Sequence, residues 1–262
     1  MVKRILSFLL AAALCLSLAG CGSGKASGYR VVGTLRGQDL CLAFRDGDQL
    51  RDIFTAGLMT LSADGTLETL SRRWFGENRS IAPGDAEMAA WLQNQPPRTL
   101  ILGYYPAARP LCYEDGGAVT GFDAELMGEL CARLGWTLVF QPIARGDAGV
   151  ELASGNVDCV AGGFGSGEET KGLSFSPAYL HTDYAFVARA DGDVRRSSQL
   201  AGKALATVGG SAMGKALEGE KLFSKLGGLL VLSDEDQCFA ALRAEQCDAI
   251  LVSSLCAEAY MK

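Results

Sequence analysis

The chain has 262 residues, 48% of them apolar and 21% charged, with 33 Gly and 7 Pro. That composition excludes disordered, collagen-like and coiled-coil chains, and the length suits one large domain or two lobes. A formal net charge of −6 with no basic stripe excludes a nucleic-acid surface.

Residues 1–20 read as a lipoprotein export signal outside the fold. Lys3 and Arg4 form a short basic start, and residues 5–18 form an apolar run. At 1.5 Å per residue that run is too short to span a bilayer comfortably, and it fits the hydrophobic region of a signal. Leu18-Ala19-Gly20-Cys21 resembles the lipobox of bacterial lipoproteins, in which small residues let a peptidase reach the backbone before the cysteine. The thiol of Cys21 then carries the lipid, and two or three acyl chains anchor stably where one does not. Residues 21–28, rich in Gly and Ser, read as a flexible tether. Removal of Lys3 and Arg4 takes the net charge from −6 to −8. No later apolar run is long enough for a span, so the expected location is extracytoplasmic, held at the cell membrane by the lipid.

RVVGTL (30–35) and DLCLAF (39–44) read as strands, being short, rich in branched or apolar residues and bounded by Gly. Leu50, Ile53, Phe54, Leu58 and Leu61 recur at helical spacing, with Asp46 or Asp48 as a candidate N-cap. A second helix follows Asp64-Gly65, with Thr66 as its expected cap and Leu67, Leu70 and Trp74 on one face, ending at Trp-Phe-Gly. Residues 77–98 change character, with SIAPGD, a short Ala/Met/Trp helix and NQPP, and read as a linker. TLILGYY (99–105) opens a strand. Phe122, Leu126 and Leu130 mark a helix stopped by Gly135, followed by strand WTLVFQ, a short helix and strand VDCVAGG. YAFVAR (184–189) and KALATV (203–208) are strands, the latter leading through Gly209-Gly210-Ser211 into a helix. LLVLS, SDEDQCFAALRAE, CDAILV and SLCAEAYM complete the alternation as strand, helix, strand and helix. This order predicts parallel α/β sheets with helices on their faces.

Few motifs carry chemistry. GGFGSG (162–167) has Glu168 where a phosphate-binding G-x-G-x-x-G needs its continuation, and no Gly-Lys-Ser/Thr follows. No serine sits in G-x-S-x-G. His181 is the single histidine, so a zinc site or a Ser-His-Asp triad would rest on it alone, and a surface or packing role is expected. No acid/base pair stands out by spacing. These readings point away from an enzyme and imply no cofactor and no metal. After Cys15 and Cys21 are set aside, seven cysteines remain, an odd number without Cys-x-x-Cys spacing. Most sit in apolar patterns and read as small buried hydrophobes; a disulfide framework is not expected, though a single bridge stays open.

From Thr99 onward the chain resembles the amino-acid-type periplasmic solute-binding proteins (extracellular solute-binding protein family 3) that serve ATP-driven importers. The matching pieces, in family order, are TLILGYYPAARPLCY, GFDAELMGELCARLGW, ELASGNVDCVAGG, FSPAY, YAFVAR, LAGKALATVGGSA and ALRAEQCDAILV. The family continues with a strand, a crossing strand and a helix pair ending in Asp-Gly-Thr … Trp-Phe-Gly. Here those pieces stand at the front, as YRVVGT, DLCLAFRDGDQLRDIF and LSADGTLETLSRRWFG. The resemblance implies a two-lobed α/β fold of the type II periplasmic-binding-protein kind, circularly permuted. Lobe two would comprise 29–37 plus 190–262, and lobe one 38–189, with 77–98 joining the family's original termini. The strands crossing between lobes would fall near 37–40 and 185–190.

The resemblance further implies a monomeric receptor that binds a small polar solute, amino-acid-like or anionic, between its lobes and delivers it to ABC permease subunits. A non-transport sensor or scaffold of the same fold is the alternative. The expected ligand contacts are Tyr105, Arg109, Arg145, Gly163 and Gly165 from lobe one and Ser211 and Ser253 from lobe two. The chain departs from the family at the polar anchors: Glu169 or Thr170 stands where an arginine is expected, and Ser253 where an aspartate is expected. Ala108 or Arg109, and Ala144 or Arg145, stand where ligand-stacking aromatics are expected. A neutral zwitterion is therefore expected to bind weakly, and an anion held bidentately by Arg109 or Arg145 to be favoured.

Overall fold

The computed structural model describes residues 28–165 and 172–262; the export signal, Cys21 and most of the tether lie outside the described residues, as do Glu169 and Thr170. Along the chain the strands are β1 (Tyr29–Leu40), β2 (Ala43–Arg45), β3 (Thr99–Tyr104), β4 (Ala107–Ala108), β5 (Cys112–Asp115), β6 (Ala118–Thr120), β7 (Thr137–Pro142), β8 (Cys159–Val160), β9 (Leu173–Phe175), β10 (Leu180–Arg189), β11 (Ala204–Val208), β12 (Gly228–Leu232) and β13 (Ala249–Ser253). The helices are α1 (Leu50–Ala63), α2 (Thr66–Phe75), α3 (Ala89–Leu92), α4 (Phe122–Leu134), α5 (Ala148–Ser154), α6 (Ala212–Glu218), α7 (Glu235–Arg243) and α8 (Ser254–Met261).

Two five-stranded sheets form two lobes, in the orders β7-β3-β8-β2-β9 and β1-β10-β13-β11-β12. Each sheet is mixed rather than parallel. β3 runs parallel to β7 and β8, and β11 parallel to β12 and β13. β2 lies antiparallel to β8 and β9, and β10 antiparallel to β1 and β13. The reason is connectivity. Strands followed by a helix return through right-handed crossovers and align. β1, β2 and β10 instead belong to the segments that pass between lobes.

The chain passes between the lobes on two strands paired antiparallel. β1 is one continuous strand with register shifts between Val31 and Gly33 and between Leu35 and Gln38, rather than two separate strands. Gly37 lies in the second shift, where a Cβ would run into the Thr182 carbonyl, so the close approach of the two strands requires glycine. β10 joins the second sheet from Tyr184 on, pairing with Ser253 to Ala249. The second crossover thus falls at 180–183, earlier than the expected 185–190. His181 sits in this hinge. Its Nδ1 lies 2.7 Å from Asp39 and its Nε2 3.3 Å from Asp183, and the bond to Asp39 leads the effects that raise its pKa.

One core holds the first lobe together. Leu42, Phe44, Phe54, Leu58, Leu61, Leu67 and Leu70 from the front of the chain pack with Leu100, Leu102, Phe122, Leu126 and Leu130. Each such fully buried side chain stabilises by about 1.5–3 kcal/mol. The Phe75 and Phe122 rings lie 5.2 Å apart, and Phe54 meets Trp136 at 6.1 Å. Gly76, at φ +82°, stops α2, its N–H bonding Arg72 O. Asp48 serves the start of α1, accepting from Leu50 N, whereas Gly65 rather than Thr66 is the N-cap of α2. Residues 77–98 lie against this lobe through buried Ala82 and Leu92. Their Ile81 N–H bonds Tyr179 O. A separate core fills the second lobe, with Val32 from β1 packed among Phe186, Phe239, Ile250 and Leu251. Tyr29 meets Phe239 edge-on at 5.1 Å, and Phe239 stacks on Tyr260.

The seven described cysteines are all free and buried, and burial pushes every one of their thiols upward. They stay protonated and unreactive at neutral pH. Among the described residues no helix is long and apolar enough to cross a membrane.

Candidate functional site

A cavity of about 500 Å³ opens between the lobes. The ends of β3, β8, β11 and β13 and the starts of α6 and α7 border it, so free N–H groups and caps gather there. Tyr105, Arg109, Arg145 and Gly163 line it from the first lobe, and Ser211 and Ser253 from the second.

Gly165 does not line the cavity. It bridges Leu40 on the crossing strand, and a Cβ there would run into the Gln38 side chain. Gln38 reaches the cavity instead. Gly165 thus makes room for the hinge, a role that sequence spacing cannot separate from close approach to a ligand.

The arginines are organised by aromatic rings. The Arg145 guanidinium lies 4.4 Å from the centre of the Tyr105 ring, and Tyr105 donates to Arg145 O at 3.4 Å. Arg109 lies 4.1 Å over Tyr113, at 3.9 Å from both Asp115 and Asp236. Planar guanidinium groups stack this way while keeping their edge donors directed outward. Ala108 and Ala144 also border the cavity, leaving Tyr105 and Tyr184 as its aromatic lining.

Both serines are helix caps. Ser211 accepts from Gly214 N and donates to Val208 O at 2.7 Å. Ser253 Oγ accepts from Cys256 N at 3.2 Å. The floor is set from behind by Asp123, which is fully buried at the start of α4. Its carboxylate accepts from Gly162 N at 2.8 Å, and Gly163 N–H and the Tyr179 hydroxyl also face it. Burial raises its pKa to about 6 against these donors. Gly162 and Gly163, at φ +94° and +90°, present their backbone to the cavity.

Glu235 was not among the expected contacts. It is 8% exposed, lines the cavity in the first turn of α7 and accepts from Ser253 N. Burial raises its pKa, opposed by the Ser253 N–H and then by the charge of Arg145 across the cavity. The rule that helix starts face the cleft would have found it. Among the described residues no group of three or more His, Cys, Asp or Glu could hold a metal ion.

Residues 100–215 match the bacterial extracellular solute-binding proteins, family 3. The arginine-binding extracellular protein ArtP of Bacillus subtilis is 28% identical over 169 residues, covering 63% of this chain and 65% of that protein. A probable amino-acid-binding protein of the same organism, YxeM, is 27% identical over 121 residues, covering 45% and 46%. The chain thus spans less than two thirds of the length of these relatives. A substrate-binding protein of an ABC uptake transporter from Streptococcus pneumoniae, solved with bound histidine, superposes with a TM-score of 0.57 at 20% identity, covering 62% of this chain and 68% of that one. The arginine-bound form of truncated ArgBP from T. maritima gives 0.52 at 20% identity, covering 62% and 76%. The fold is therefore the two-lobed α/β fold of the periplasmic amino-acid-binding proteins, carried together with a family 3 solute-binding sequence over residues 100–215.

Proposed function

We propose that this protein is an extracytoplasmic receptor that binds a small polar solute between its lobes and delivers it to an ABC importer. The observation that carries the reading is the cavity of about 500 Å³ lined from both lobes across a two-stranded hinge. A site built half from each lobe couples ligand binding to hinge closure, and closure is what a membrane partner can read. The arginine-binding name of the relative ArtP supports an amino-acid-sized solute here. The reading is one of binding without catalysis, by a monomer.

A thermal-shift panel of amino acids, dicarboxylates and short peptides tests it. A ligand of the native state raises stability by about 2.7 kcal/mol at a hundred times its Kd, so at least one panel member should shift the melting temperature by several degrees. A flat response across all three classes would remove the reading.

We further propose that the chain is a circular permutant. What supports this is that β1 pairs with β10 in the second sheet while α1 and α2 complete the core around β3 and α4. Residues 77–98 then join the ancestral ends. Anchoring through Cys21 completes the proposal. Cys21→Ala should move the exported protein out of the membrane fraction or leave its signal uncleaved; an unmodified, soluble wild type would contradict the anchor.

A further inference from the structure

Where the chain passes between the lobes, the ladder between β1 and β10 is interrupted. The register shifts between Leu35 and Gln38, and at that gap Gly37 N–H donates to the Asp183 carboxylate at 3.2 Å. The same Asp183 oxygen lies 3.3 Å from His181 Nε2. The ring's Nδ1 lies 2.7 Å from Asp39, the residue opposite His181 in the register on β1. The single histidine of the chain thus ties together the two strands that cross between the lobes.

Both ring nitrogens face carboxylate oxygens. A neutral imidazole has one N–H and one lone pair, so it satisfies one carboxylate and turns a lone pair on the other. Only the imidazolium donates to both. Its side chain is 41% exposed, so water screens the charges and the two hydrogen bonds carry the preference. The neighbouring elements bring no competing charge to the ring. Ser80 of the linker bridges Leu180, but Arg79 beside it is held by Glu77 and Glu258. From α8, the Ser254 hydroxyl meets Thr182. Arg36 on β1 is exposed and, among the described residues, pairs with neither carboxylate of the ring.

We propose that His181 is a proton-operated clasp of the hinge: protonated, it holds the two crossing strands together through Asp39 and Asp183, and on losing its proton it lets one of them go. The bond to Asp39 leads in raising its pKa, with Asp183 adding to it against burial. A group raised in the folded state stabilises in full below its ordinary value, 6.5 for this ring, and that stabilisation is lost as pH rises through the folded-state value. Lobe motion bends this strand pair, so the flexibility of the hinge is linked to pH. The clasp itself stands apart from the solute-binding reading; its effect on solute exchange rests on that reading.

The test follows the single histidine and the hinge amides in the full chain. In wild type the Hε1 resonance of His181 should titrate with a midpoint above 6.5, and Asp39→Asn and Asp183→Asn should each lower that midpoint. Hydrogen exchange of residues 37–40 and 180–183, corrected for intrinsic rates, reads the strands directly. Between about pH 5.5 and about pH 8.5 their protection should fall roughly threefold or more further in wild type than in His181→Gln, which keeps a donor but takes up no proton. Comparing the two proteins cancels the other titrating groups, Asp123 included. A merely structural role would lower protection in the variant alike at both pH values. A midpoint at or below 6.5, or an equal pH response of the hinge amides in the two proteins, overturns the inference. Neither outcome touches the thermal-shift panel, which judges the solute-binding reading by itself.

Discussion

Phe54→Ala is expected to lower the unfolding free energy by about 3–5 kcal/mol, the usual cost of emptying a buried aromatic site. Phe54 is fully buried on α1, with Phe44 at 5.7 Å and Trp136 at 6.1 Å between ring centres. Phe44 lies on β2, and Trp136 precedes β7, beyond the linker. The cavity left by alanine therefore opens inside a core shared by residues 42–75 and residues 100–136. Denaturation followed by tryptophan fluorescence checks the result. The first lobe should unfold in one transition at lower denaturant. A separate early transition confined to the front helices would mean that they form their own unit, and the permutation reading would fail.

The second large effect concerns pH. Burial raises the Asp123 pKa from 3.8 to about 6. Between these values the folded protein binds more protons at this site than the unfolded chain does, so stability falls as pH rises through the window. A shift of roughly two units corresponds to about 3 kcal/mol, present in full below the window and absent above it. Tyr179 and Cys112 face the group with pKa values pushed far up, so neither titrates there. Asp123→Asn has no proton to lose. The stability of the variant relative to wild type should therefore rise by about 3 kcal/mol between pH 3 and pH 7. Urea midpoints at both values measure it. Equal pH slopes for the two proteins would show that the carboxyl titrates as it does in the unfolded chain. The ionised group, although it costs stability, is the stronger acceptor for the Gly162 N–H at the cleft floor.

Much of the fold was legible from pattern alone. Helical spacing in residues 50–61 and the glycine stop at Gly76 describe α1 and α2, and apolar runs mark β3, β11 and β13, because these signals are local to the chain. The family resemblance, rather than any local pattern, implied that the front helix pair packs on residues written later, and its side chains share a core with Leu100, Leu102, Phe122 and Leu130. The β4-β5-β6 meander escaped notice, since its strands are two to four residues long and show no periodicity.

Only the tertiary structure decided the charges of the cleft and the path of the hinge. Arg145 and Glu235 are 90 positions apart, and no periodicity links residues that line one cavity from opposite lobes. Gly163 and Gly165 look alike in sequence, but one faces the cavity and the other makes room for Gln38, because a crossing strand passes over only one of them. Spacing identifies which residues share a face of one element. Which faces are brought together is set by the packing of the two sheets on their hinge, and the chemistry of the site follows from that packing.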